Sequence, residues 1–99
     1  MKTITTEELQ KRVEAGEQLN IIDVREADEV AAGMIPGAKH IPLGEVESRV
    51  SELDKEKPYY VVCRSGGRSG QAGAFLNGQG IDATNVEGGM LNWNGETQA

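Results

Sequence analysis

An α/β domain with a mainly parallel sheet covered on both faces is predicted by three observations. Short Ile- and Val-rich runs alternate with segments of helical pattern. The runs Leu19–Val24 and Tyr59–Val62 lack the strict polar alternation of a half-exposed strand, so they read as strands buried on both faces. The connections between segments are short, and glycines stand where several of the helical patterns end.

Taken in order, Thr5-x-x-Glu8 has the form of a capping box and opens a helix that carries Leu9 and Val13 one turn apart, with Gly16 as its stop. Leu19–Val24 is the first buried strand. Arg25–Ala32 holds good helix formers, and Gly33 ends them. Ile35-Pro36-Gly37-Ala38 reads as a turn, and His40-Ile41 as a very short strand before Pro42. Val46, Val50 and Leu53 lie at i, i+4 and i+7, the apolar stripe of a surface helix. Lys55–Pro58 is a polar break before the strand Tyr59–Val62. A Gly-rich loop starts at Cys63, and a helix over Ser69–Gln79 follows with Ala72, Phe75 and Leu76 inward. Ala83–Val86 is a third strand, and Gly88-Gly89 leads into a short segment with Met90, Leu91 and Trp93. Gly95–Ala99 is expected to be a loose tail. The whole is read as one domain, residues 1–99.

Composition narrows the function. With 37% hydrophobic and 26% charged residues, the chain is of globular type. A formal net charge of −6 argues against a nucleic-acid or anionic-membrane partner, since either needs a basic face. The single cysteine has no partner for an internal disulfide and cannot supply a multi-cysteine metal site. A lone thiol and an N-terminus without an apolar stretch of signal-peptide length point to the cytoplasm. The expected state is a monomer.

Chemistry concentrates in Cys63-Arg64-Ser65-Gly66-Gly67-Arg68-Ser69. Ligands of an open parallel sheet bind beyond the carboxyl ends of its strands, which is where Cys63 falls. The loop then enters a helix, whose first backbone N–H groups have no partners inside the helix and attract negative charge. Gly66 and Gly67 let the backbone turn several amides inward, and Arg64 and Arg68 add positive charge. Such surroundings bring a thiol below its free pKa of about 8.5 and stabilise the thiolate, the nucleophilic form.

This loop resembles the active-site loop of the rhodanese family. Ile22-Asp23-Val24-Arg25-Glu26 is similar to the family's first signature, Ala32-Gly33-Met34-Ile35-Pro36-Gly37-Ala38-x-x-Ile41-Pro42 to the segment after it, and Val86-Glu87-Gly88-Gly89-Met90-x-x-Trp93 to the C-terminal signature. The four blocks stand in the family's order. Met34 replaces a frequent histidine and Val30 a frequent aromatic residue. The resemblance implies a five-stranded, mainly parallel sheet flanked by helices. It implies that Cys63 cycles between thiol and persulfide, taking a sulfane sulfur from a small anionic donor such as thiosulfate and giving it to cyanide, a thiol or a protein. The amides of Arg64, Ser65, Gly66, Gly67, Arg68 and Ser69 would hold the persulfide, and Arg64 and Arg68 would draw in the donor. No cofactor and no metal are implied.

Asp23 and Arg25 follow a buried strand at the same sheet end and are read as structural support for the loop. His40, the only histidine, is read as structural, Trp93 as core, and Glu45, Glu47, Glu52, Asp54 and Glu56 as a solvated acidic face. Two other functions are weighed. A cysteine-loop phosphatase or arsenate reductase needs five residues between Cys and Arg to wrap a tetrahedral oxyanion, and four separate Cys63 from Arg68. A non-catalytic binding or regulatory module would retain no need for Cys63 and its loop.

Overall fold

The computed structural model describes residues 1–99. Its strands are β1 (Lys2–Thr5), β2 (Ile21–Asp23), β3 (Lys39–His40), β4 (Pro58–Val62) and β5 (Asp82–Glu87), and its helices α1 (Thr6–Glu14), α2 (Ala27–Ala31), α3 (Val46–Arg49) and α4 (Gly67–Gly78). One five-stranded sheet runs in the order β1-β5-β4-β2-β3, and every neighbouring pair is parallel. This is the α/β architecture expected from the alternation of runs.

The central strands are apolar on both sides because each side faces a separate layer. Val61, Ile22 and Ala83 pack with Val46, Leu53, Ala72 and Leu76 on the face covered by α3 and α4. Val62, Ile21 and Val86 pack with Leu9, Ile35 and Trp93 on the face covered by α1. Neighbouring residues of one strand thus bury into opposite layers, as the pleat requires. The register sets Ile22 beside Val61, Asp23 beside Val62, and Asn85 on the other side of Val61. The chain therefore leaves β2 and β4 at one edge, with Arg25 and Cys63 just beyond it.

Several boundaries differ from the sequence expectations. β1 was not expected, because Ile4 is its only apolar residue apart from the pattern of the helix that follows. It pairs along β5 from Lys2↔Thr84 to Thr5↔Glu87. Thr5 closes this strand and also caps α1, its hydroxyl accepting from the Glu8 N–H at 3.1 Å. The helix expected over Val46, Val50 and Leu53 is one α-helical turn, Val46–Arg49, between two 3₁₀ turns. The tighter second turn, closed by Leu53 N–H on the Val50 carbonyl at 3.1 Å, buries Leu53 and leaves Val50 half-exposed. The tail is not loose. Met34 and Gln98 exchange both backbone hydrogen bonds, at 2.7 and 2.8 Å, in an antiparallel bridge. Trp93 anchors the approach to it, donating from Nε1 to the Glu96 carbonyl at 3.1 Å.

Candidate active site

Cys63 leaves β4 with its side chain turned into the layer beneath α4, and the residue is only 1% exposed. Burial alone pushes a thiol pKa up. Here the Ser69 hydroxyl and the backbone amides of Ser69, Gly66 and Ser65 outweigh that desolvation, so the Cys63 thiol lies below its ordinary value. The Gly66 N–H donates to Sγ at 3.0 Å, and Ser69 Oγ stands 3.3 Å from Sγ. Gly66 takes φ +114°, a conformation closed to most side chains, and this turns its amide onto the sulfur. Its position as the residue before α4 places the helix N-terminus behind the thiol.

The C-terminal signature acts as the loop's backstop. Met90 N–H donates to the Cys63 carbonyl at 2.9 Å and Leu91 N–H to the Arg64 carbonyl at 3.0 Å. Gly89 permits this approach, since a β-carbon there would lie 2.5 Å from both carbonyl oxygens. The hydroxyl of Thr6, fully buried at the start of α1, donates toward the Gly89 carbonyl at 2.8 Å and the Glu87 carbonyl at 3.0 Å. The carbonyls of Cys63 and Arg64 thus point away from the sulfur, which leaves amides to face it.

The two loop arginines do different things. Arg64 is exposed, whereas Arg68 is gripped by Glu29 of α2 through hydrogen bonds of 2.6 and 2.9 Å. The free charge expected of Arg68 is therefore compensated. Glu29 was missed in the sequence because its partner lies 39 residues away, on another element. Arg68, and then the Glu26 backbone amide that donates to the Glu29 carboxylate, hold that carboxyl down at about 2. Arg68 lines a groove together with Glu26, Leu43, Val46 and Phe75.

Asp23 and Arg25 form a buried pair. Asp23 is fully buried and accepts from the Arg25 backbone N–H at 3.0 Å, from Nε at 3.1 Å and from Nη2 at 2.9 Å. Arg25 also donates to the Gly33 carbonyl at 2.8 Å. His40 Nε2 meets the Arg25 carbonyl at 2.7 Å. These contacts tie the ends of β2 and β3 together beside the loop. Asn85, a second residue missed in the sequence, lies on β5 with its Nδ2 donating to the Gly66 carbonyl at 3.3 Å and its Oδ1 accepting from Ser69 at 2.6 Å.

A parallel sheet that presents one cysteine in a cradle of amides at its carboxyl edge defines a class: a domain built to carry negative charge on a sulfur atom. The model of the rhodanese-like domain matches residues 5–96, and the chain belongs to that family. It is 49% identical over 98 residues to the putative sulfurtransferase YtwF of Bacillus subtilis, covering 99% of this chain and 95% of that protein. It is 38% identical over 74 residues to the thiosulfate sulfurtransferase GlpE of Pseudomonas putida, covering 74% of this chain and 67% of that protein. The crystal structure of a rhodanese-like domain protein from Staphylococcus aureus superposes with a TM-score of 0.93 at 41% identity, covering 99% and 97% of the two chains.

Proposed function

We propose that this chain moves a sulfane sulfur from thiosulfate or a similar anionic donor to a thiophilic acceptor through a persulfide on Cys63. The observation that carries the reading is the Cys63 sulfur held 3.0 Å from the Gly66 amide in a loop whose carbonyls are pulled away from it. The thiol first loses its proton to solvent. The thiolate attacks the outer sulfur of thiosulfate, an S–S bond forms to Cys63, and the donor's own S–S bond breaks with its electron pair leaving on sulfite. The acceptor, a cyanide, thiol or protein nucleophile, then attacks the outer sulfur, and Cys63 departs as the thiolate. Two covalent half-reactions of this kind give ping-pong kinetics. Amides fixed before reaction stabilise the anionic persulfide in the manner of an oxyanion hole.

Arg64, exposed and next to the nucleophile, is the cation best placed to meet the donor. Arg68, Ser65, Gly67 and Ser69 complete the cradle, and Asp23 and Arg25 support it from beneath. Four residues between Cys63 and Arg68, with Arg68 already engaged by Glu29, suit one sulfur atom better than a phosphate. No helix is long and apolar enough to cross a membrane. The thiol chemistry suits a reducing compartment such as the cytoplasm. Intact mass spectrometry tests the reading. Thiosulfate should add the mass of one sulfur atom, cyanide should remove it, and Cys63→Ser should show neither change. A wild-type protein that gains no sulfur from thiosulfate or from other sulfane donors, and forms no thiocyanate, would sink it.

A further inference from the structure

Ser69 is fully buried and carries a single proton, and two acceptors compete for it: the Cys63 sulfur at 3.3 Å and Asn85 Oδ1 at 2.6 Å. The Asn85 amide cannot turn over freely, because its Nδ2 faces the Gly66 carbonyl at 3.3 Å and a carbonyl only accepts. Oδ1 is thus presented to Ser69, and the short distance assigns the Ser69 proton to Asn85. The lone pairs of Ser69 Oγ are then left for the sulfur, which suits a protonated thiol that donates. An anionic sulfur reverses the requirement, because lone pair facing lone pair is repulsive.

We propose that Asn85 is a positioning residue that holds the Ser69 hydroxyl turned away from the Cys63 sulfur while the sulfur is protonated, and yields it as a donor when the sulfur becomes a thiolate or persulfide. Asn85 thereby restrains the acidity of the thiol through Ser69. The same side chain holds the Gly66 carbonyl, so it touches both partners of the sulfur without touching the sulfur itself. Other charged groups on the elements around the loop are Arg64, the Arg68–Glu29 pair from α4 and α2, Glu26, Glu87 at the end of β5, and the Asp23–Arg25 pair beyond β2. None of them needs to change in the variants below.

The proposal rests on Cys63 being the reacting group of the proposed function, but its test needs no sulfur donor. The chain has one cysteine, so its thiolate can be titrated by ultraviolet absorbance with Cys63→Ser as the blank. Asn85→Ala should free Ser69 to donate and lower the thiol pKa by about half a unit to one unit, the size of one hydrogen bond. Asn85→Val, which suits a strand, should do the same if the alanine variant folds poorly. Ser69→Ala should raise the pKa, and adding Asn85→Ala to it should bring no further fall. An unchanged or higher pKa in both Asn85 variants overturns the proposal, as does an equal fall with and without Ser69. A wild-type protein that titrates as expected but gains no sulfur from any sulfane donor would instead count against the sulfurtransferase reading and leave this proposal standing.

Discussion

The Arg68 guanidinium meets the Glu29 carboxylate side by side, with hydrogen bonds of 2.6 and 2.9 Å, so the positive charge nearest the helix end of the loop is spoken for. Fork-to-fork pairing of this kind fixes direction as well as charge. Both side chains keep some solvent contact, so the pair is screened and replaceable.

Glu29→Gln should therefore sharpen the response to an anionic donor. Glutamine still accepts from the Glu26 N–H through its carbonyl oxygen, but it leaves the Arg68 charge uncompensated beside the loop. The KM for thiosulfate should fall about fivefold at low ionic strength, the size of a partly exposed ion pair of ~1 kcal/mol. The gain should shrink as salt is added. An unchanged KM at every salt concentration would mean that Arg68 acts only as scaffold.

The same pair makes an acid-stability prediction. The Glu29 carboxyl lies lowered from 4.5 to about 2, chiefly by Arg68 and then by the Glu26 amide. A depressed carboxylate adds stability that is complete above its unfolded value and is lost as pH falls toward the folded one. The window is therefore from pH 4.5 down to about 2. Urea midpoints should fall with pH in that window, and less steeply in Glu29→Gln. Glu52 titrates in the same range, held by Arg49 and then Lys39, but its pairs are solvent-exposed, so added salt should remove its share first.

How far the sequence carried this picture depends on the range of each signal. β4, the loop and α4 are contiguous, and their order was enough to place Cys63 between a buried strand and a helix N-terminus. The strand edges of Leu19–Val24 shrank to Ile21–Asp23, because pairing and not apolar character decides where a strand ends. Glu29 and Asn85 were invisible for a different reason. Each acts across the fold, Glu29 on a residue 39 positions away and Asn85 on one 16 positions away, and neither belongs to a local pattern. The tail went wrong similarly, since polar residues after Gly95 give no local reason to pair with Met34.

Gly89→Ala should damage the site more than any other glycine change in a turn. Gly89 sits at φ +54°, and a β-carbon would press within 2.5 Å of the Cys63 and Arg64 carbonyl oxygens. The backbone there has nowhere to go without moving the loop. We expect a loss of about 2 kcal/mol or more in urea unfolding, together with loss of sulfur loading. Gly37→Ala is the control: φ is +83° but nothing lies within 4 Å, so only backbone strain of about 1 kcal/mol applies and sulfur loading should persist.

Arg25→Ala should reveal the buried pair as scaffold. It would leave Asp23, with no exposed surface, holding a negative charge against a backbone amide alone. Removing one partner of a buried pair costs about 3–5 kcal/mol, a large share of the ~5–15 kcal/mol that holds a domain together. The midpoint of urea unfolding should drop accordingly. Replacing both residues by apolar ones of similar volume should recover part of the loss, because no buried charge then remains. A fully stable Arg25→Ala protein would show that water reaches Asp23.

Truncation after Glu96 separates the tail's stabilising role from catalysis. It removes the two hydrogen bonds of the Met34–Gln98 bridge and exposes Gly33, against which Thr97 packs. Gly33 in turn supplies the carbonyl that receives Arg25, so the tail braces the brace. Two lost backbone hydrogen bonds predict a fall of about 1–3 kcal/mol in unfolding free energy. Trp93 keeps an acceptor at Glu96, whose carbonyl becomes part of the new terminal carboxylate, and the loop keeps Met90 and Leu91, so the rate of sulfur loading on Cys63 should stay within about twofold of the full chain. A truncated protein of unchanged stability would show the bridge to be ornamental. One that stays folded but loads sulfur slowly would show that the tail reaches the loop through Arg25.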